Sequence, residues 1–271
     1  MAPATHGRRP RGTPKTEGEV TRGTTNPNRL RRVDRWIAWR CRDLLTSTGD
    51  PLVVDLGFGA SPITAVELRQ RLAVLNPRVR VVGLEIDRAR VAAAEPMADP
   101  PWLTFAHGGF ELAGLRPQLV RALNVLRQYE ESAVADAWST MRSALSSSGI
   151  LVEGTCDELG RIGCWACLEA GSAAPVSLTF AARLSTLDSP LTFAERLPKS
   201  LIHHNVPGSP VHEVLSALGA AWQRAAPMGV FGPRQRWLET VRTSGLSTLD
   251  GPSRWRLGEV TLPYPGIDIL R

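Results

Sequence analysis

The run Leu52-Val53-Val54-Asp55-Leu56 passes directly into Gly57-Phe58-Gly59-Ala60-Ser61-Pro62, and this junction constrains the fold more than any other stretch. A short apolar run bounded by turn residues reads as a strand buried on both faces. The two glycines permit a sharp turn at its carboxyl end. Pro62 suits the first helical position, with Ser61 as the N-cap. Ile63, Val66, Leu72 and Leu75 then give a helix over 62–75 its apolar face, and Asn76-Pro77 stops it.

The same alternation recurs along the chain. Strands are predicted at Val79–Ile86, Trp102–Ala106, Leu119–Val125 and Gly149–Thr155, with helices at 88–95 and 130–147. Beyond 156 the pattern gives strands at Pro175–Leu184 and Trp255–Leu262, and helices at Val211–Arg224 and Pro233–Thr243. A first helix is predicted from Arg29 to Leu45, with Leu30, Val33 and Ile37 on one face. The expected fold is therefore α/β: a Rossmann-like, doubly wound, mostly parallel seven-stranded sheet with helices on both faces.

Residues 1–28 are rich in Pro, Gly, Thr and Arg without periodicity, and are expected to form a basic, disordered leader. Residues 29–271 are expected to form one domain, with a binding core at about 50–156 and substrate-side elements over 157–271. The charge divides the same way. Residues 1–42 hold eleven Arg or Lys and three Asp or Glu, a balance of +8; the other 21 basic and 23 acidic residues give −2. A tail so charged can track phosphates, although a solvated tail is the plainer reading. A small-molecule substrate is thus the first expectation and RNA the second. No window approaches the ~20 apolar residues of a membrane helix. No apolar segment follows Arg8, Arg9 and Arg11 as a secretory signal requires, so a cytoplasmic protein without a membrane partner is expected. Cys41, Cys156, Cys164 and Cys167 suit a reducing compartment. Cys164-Trp-Ala-Cys167 lacks the second cysteine pair of a structural zinc site, so no metal is expected and the four thiols read as packing residues.

Open α/β sheets bind ligands at the carboxyl ends of their strands, beside the point where strand order reverses. Gly57 and Gly59 occupy that position after the first strand. Glu85 closes the second, 28 residues after Gly57, where a carboxylate can accept hydrogen bonds from a ribose diol. A nucleoside-bearing ligand follows. Pro62 stands where a dinucleotide fingerprint has its last glycine, which makes a nicotinamide-dependent oxidoreductase a distant alternative.

Asp55-Leu-Gly57-Phe-Gly59, Gly83-Leu-Glu85-Ile86-Asp87 and Asn124-Val-Leu-Arg-Gln-Tyr129 resemble the motifs of class I S-adenosylmethionine-dependent methyltransferases. The resemblance covers about 50–156. It implies S-adenosylmethionine as cofactor, with Asp55, Gly57, Gly59, Ser61, Glu85, Ile86, Gly109, Phe110 and Asn124 around it, and Asn28 and Arg29 reaching it from before the first strand. Two departures stand out. Ser61 replaces the third motif glycine. The Gly-Asp usual after strand three, whose carboxylate contacts the adenine amine, is replaced by His107-Gly108-Gly109-Phe110, which leaves Phe110 to stack on the base. The implied reaction is in-line methyl transfer, in which orientation and exclusion of water do most of the work and no catalytic residue is obligatory. Candidates are Asn124, Arg127, Tyr129 and Glu153, with His203 and His204 arriving from the C-terminal region. Asp99-Pro-Pro-Trp102 spells the tetrapeptide of some adenine N6-methyltransferases, but it follows a helix and reads as a turn. An RNA methyltransferase and a catalytically silent cofactor-binding module are the alternatives.

Overall fold

The computed structural model describes residues 16–20, 25–47, 49–172 and 174–264. Eight strands form one sheet: β1 (Leu52–Leu56), β2 (Arg80–Glu85), β3 (Leu103–His107), β4 (Leu119–Leu123), β5 (Ile150–Cys156), β6 (Ile162–Glu169), β7 (Ser177–Ala182) and β8 (Glu259–Pro263). Their order is β3-β2-β1-β4-β5-β6-β7-β8. The first five are parallel, and β6, β7 and β8 follow as an antiparallel meander.

The doubly wound class is as expected; the strand count is eight, not seven. The additional strand is β6, which pairs along its whole length between β5 and β7. Its sequence, Ile-Gly-Cys-Trp-Ala-Cys-Leu-Glu, is an unbroken apolar run over seven residues, and its burial on both faces explains why no alternation marks it. Cys164 and Cys167, three residues apart on a strand, point to opposite faces. Each enters a different hydrophobic core. The pair therefore cannot converge on one ion, and burial pushes both thiols upward, Cys167 to about 12.

One core lies under α1 (Arg31–Arg40), α2 (Arg42–Ser47), α3 (Ile63–Ala73) and α4 (Arg88–Ala94); the other lies under α5 (Val134–Ala144), α7 (Pro210–Arg224) and α8 (Pro233–Thr243). Two short helices, α6 (Lys199–Ile202) and α9 (Pro252–Trp255), are the remaining α-helices among the described residues. The predicted first helix is two, broken at Cys41. α1 packs on α3 and closes its sheet face with Trp36, whose ring meets Trp165 edge-on at 5.9 Å and whose indole N–H donates to Thr261 Oγ1 at 3.0 Å.

A chain of buried charges crosses from α1 into the sheet. Arg121 of β4 donates to Asp34 of α1, donates through Nε to Asp55 Oδ1 of β1 at 2.9 Å, and reaches the Thr64 carbonyl at 3.0 Å. Its side chain is fully buried. Arg71 joins Asp34 to Glu67. Two carboxylates hold the Arg121 guanidinium in its charged form against the cost of burial.

The expected leader falls largely outside the described residues, including Arg8, Arg9 and Arg11. Of residues 1–28, 16–20 and 25–28 are described, and both pieces are hydrogen-bonded to the domain. Thr25 Oγ1 donates to the Phe58 carbonyl at 3.0 Å, and the Asn26 amide donates to the Glu158 carbonyl at 3.1 Å.

Candidate functional site

The order β2-β1-β4 places the strand-order reversal between β1 and β4, where α3 leaves one sheet face and α5 the other. The loops that end β1, β2, β3 and β4 converge there on a small cavity lined by Gly57, Glu85, Ile86, Gly109, Phe110 and Tyr129, among others.

The turn after β1 takes its shape from Gly57 and Gly59, both at positive φ (70° and 80°), where a side chain is strained. Gly57 N–H donates to the Leu84 carbonyl at 2.8 Å. Gly59 N–H donates to Glu85 Oε2 at 2.9 Å. The other Glu85 oxygen accepts from the Ile86 and Asp87 N–H groups at 3.0 and 3.3 Å, and Arg90 Nη1 stands 3.7 Å from Oε2. Glu85 is thus a buried carboxylate that sets the glycine turn and also lines the cavity. Its two oxygens offer about four acceptor positions. Three are taken by backbone N–H groups, and the Arg90 guanidinium stands beside Oε2.

Beyond β3 the chain presents a donor next to an acceptor. Phe110 N–H points out of the turn, and Glu111 curls back so that its Oε1 accepts from Gly109 N–H at 2.9 Å. Glu111 Oε2 remains directed to the same side as Phe110 N–H; both engage the backbone of one residue, Glu17. Sequence reasoning misses Glu111. The carboxylate sought at the Gly-Asp position stands four residues after His107, and only the turn's geometry brings it back. The Phe110 ring packs on Tyr129 with centroids 5.3 Å apart.

Other sequence-derived residues lie elsewhere. Asp55 turns away from the cavity to Arg121 and to Thr64 Oγ1, which donates to it at 3.2 Å. Asn28 N–H donates to Glu67 at 2.8 Å, and its side-chain oxygen accepts from Arg71 at 2.9 Å. Arg29 Nε donates to the Asp157 carbonyl at 3.0 Å. Neither lines the cavity. Ser61 Oγ accepts from Ile63 N–H at 3.4 Å, at the start of α3.

The catalytic candidates separate in the same way. Asn124 adopts φ 63°, a region that favours Asn among ordinary residues. Its amide locks the ends of β4 and β5 together by accepting from Cys156 N–H at 3.0 Å and donating to Cys156 Sγ at 3.3 Å. Arg127 donates to the Glu195 carbonyl at 3.2 Å. Glu153 is fully buried on β5, with neither oxygen hydrogen-bonded. Burial raises its pKa to about 8, and the nearby Trp138 indole offsets this only slightly. His203 and His204 are exposed at the end of α6; His204 Nε2 meets Glu131 Oε1 at 2.5 Å. Tyr129 alone of the four candidates lines the cavity, and burial raises its phenol's pKa.

Asp99-Pro-Pro-Trp102 forms a turn into β3, closed by Trp102 N–H donating to the Asp99 carbonyl at 2.8 Å. All four cysteines are buried and free. Among the described residues no three metal-ligating side chains cluster, and no helix is long and apolar enough to cross a membrane.

No family model matches the chain, and no curated protein matches it in sequence. Solved structures are similar to it. The plantazolicin methyltransferase BamL, in complex with a desmethyl analogue and S-adenosylhomocysteine, is 11% identical over 48% of this chain and 46% of its own, with a TM-score of 0.36. The cyclopropane synthase MmaA2 from Mycobacterium tuberculosis is 12% identical over 77% and 60%, with a TM-score of 0.34. Magnesium protoporphyrin IX methyltransferase from Synechocystis, with bound S-adenosylmethionine, is 19% identical over 51% and 67%, with a TM-score of 0.35. The matched region thus spans less than two thirds of the first two of these proteins. At these identities and scores the residues of the cleft, not the neighbours, carry the functional reading.

Proposed function

We propose that this protein is an S-adenosylmethionine-dependent methyltransferase that binds its cofactor's adenosyl group in the cleft between β1 and β4 and acts on a small-molecule acceptor. One observation carries the reading: three recognition elements for a nucleoside converge at the strand-order reversal. They are the glycine turn, the Glu85 carboxylate, and the Phe110 N–H beside the Glu111 carboxylate. Adenine carries a ring-nitrogen acceptor next to its amino donor. A backbone N–H beside a carboxylate is the complementary pair. Glu85 Oε2 suits a ribose hydroxyl, and the open backbone at Gly57 and Gly59 allows close approach. Ile86 and Tyr129 supply apolar walls.

When bound, the cofactor supplies an activated methyl group whose leaving group is a neutral thioether. This chain's residues bind and orient. Of the candidates, Asn124 and Arg127 are committed to backbone contacts and Glu153 is sealed in the core. Tyr129 lines the cleft, where it shapes the site and excludes water. Positioning of this kind can supply ~7–11 kcal/mol of a barrier. Asp55 supports the site from below by holding Arg121, and through it α1, in place.

Calorimetry with S-adenosylmethionine, S-adenosylhomocysteine and NAD tests the cofactor. Binding of both adenosyl sulfur compounds is expected; binding of NAD alone overturns the proposal. Incubation with labelled S-adenosylmethionine then tests turnover on metabolite and RNA pools. Label in metabolites supports the small-molecule reading, label in RNA replaces it, and binding without turnover indicates a silent module.

A further inference from the structure

Residues 16–20 cross the mouth of this cleft, and their backbone engages the groups just assigned to the adenine edge. Glu17 N–H donates to Glu111 Oε2 at 2.9 Å, and the Glu17 carbonyl accepts from Phe110 N–H at 2.9 Å. The backbone of one residue, Glu17, thus offers an acceptor beside a donor, the pattern that an adenine edge offers. The segment is fastened further along. Glu19 N–H donates to the Tyr129 hydroxyl, and Gln128 Nε2 reaches the Glu19 and Val20 carbonyls at 3.4 and 3.2 Å. Gly18 makes the passage possible. It sits at φ 142°, where side chains are strained, and a Cβ there would meet Tyr129 Oη at 3.3 Å and Ile86 Cδ1 at 3.4 Å.

The segment also sets the size of the cleft. With Glu17, Gly18 and Glu19 in its wall, the cavity beside Gly57 and Glu85 is about 20 Å³. Sites for small molecules run to ~300–1,000 Å³. The same three residues wall a second hollow of about 330 Å³, lined on its far side by Ala133, Asp136 and Thr140 of the α5 region. They stand between the two spaces, together with Phe110 and Tyr129, which line both. The approach is close: a Cβ on Gly109 would lie 1.8 Å from the Glu17 carbonyl oxygen. An adenine and this peptide cannot share Phe110 N–H.

We propose that residues 16–20 act as a built-in competitor for the adenosyl site, with the backbone N–H and carbonyl of Glu17 standing in for the adenine edge, so that the cofactor binds only when this strap lifts. The inference rests on the adenosyl reading above. Lifting uncovers no core: residues 17–20 are exposed, and the segment is held by backbone hydrogen bonds with Phe110, Glu111, Gln128 and Tyr129. A strap seated nine-tenths of the time weakens apparent affinity about tenfold, because only the open fraction is competent.

The test uses the full chain and S-adenosylhomocysteine as the probe. Glu17→Pro removes the N–H that donates to Glu111 at an exposed position outside the core. Its affinity for the probe is expected to rise several-fold above that of the unaltered protein. Hydrogen exchange on the unaltered protein gives a second readout: amides 17 and 19 should exchange faster when the probe saturates the site. Unchanged or weaker binding by Glu17→Pro overturns the competition. So does slower exchange at 17 and 19 on saturation, since the segment would then be a clamp over the bound ligand. Failure of both proteins to bind the probe refutes the adenosyl reading itself, and the competition with it.

Discussion

Asp55 and Glu85 end neighbouring parallel strands, and each precedes a turn. Their environments differ completely. Asp55 faces inward, where Arg121 and Thr64 satisfy it and α1 covers it. Glu85 lines the cleft and accepts backbone N–H groups from two loops, with Arg90 of α4 beside it. The first acid holds the framework that positions the site; the second belongs to the site. Similar positions at strand ends therefore do not imply similar roles, and the partner on the next strand decides. β4 offers Asp55 a fully buried guanidinium at hydrogen-bond distance, whereas Glu85 takes backbone N–H groups from the loops after β1 and β2, with Arg90 farther off at 3.7 Å.

Four measurements bear on this division. Arg121→Met is expected to cause the largest change, a loss of about 3–5 kcal/mol in unfolding free energy, because Asp34 and Asp55 remain buried without their cation. Denaturant melts check it; a stable Arg121→Met protein that has lost only ligand affinity would move Asp55 into the site. Glu85→Ala is expected to weaken S-adenosylhomocysteine binding by ~1–3 kcal/mol, the scale of hydrogen bonds to a charged acceptor. Unchanged calorimetric affinity would remove Glu85 from the site.

Glu153 supplies the third test, since it is an acid with no partner of either kind. Its pKa in the fold, about 8, lies above the ordinary 4.5. The folded state therefore retains a proton that the unfolded chain gives up. The stability this confers is complete below pH 4.5, declines as pH rises toward 8, and is lost above it. The slope is about 1.4 kcal/mol per pH unit within that window. Glu153→Gln should flatten the slope between pH 6 and 7, as read from denaturant midpoints; an unchanged slope would place its source elsewhere. The smallest effect expected is none at all. Mild oxidation of the native protein should form no Cys164–Cys167 disulfide, which peptide mass mapping would detect, because the two thiols lie on opposite faces of β6.

Features set by neighbours in sequence were legible from sequence. The glycine turn, Glu85 at the end of β2 and the helices α3, α4, α7 and α8 follow from periodicity and local turn chemistry. What escaped was set by distant partners. Arg121 stands in an otherwise apolar strand, and its partner Asp34 lies 87 residues away. Glu111 meets Glu17 across 94 residues, and Tyr129 meets Glu19 across 110. No local rule reports such pairings. β6 escaped for another reason: a strand covered on both faces loses the alternation that would reveal it.

The hydrogen bond from Trp36 to Thr261 joins residues 225 positions apart. α1 therefore completes its contacts on a strand that is synthesised 225 residues after Trp36. Until β8 is in the sheet, the indole has no such acceptor, and the helix that anchors the strap-bearing segment has an unfinished seat. The cleft thus depends on distant chain: its floor is built from the first five strands, but the helix behind its gate is keyed to β8.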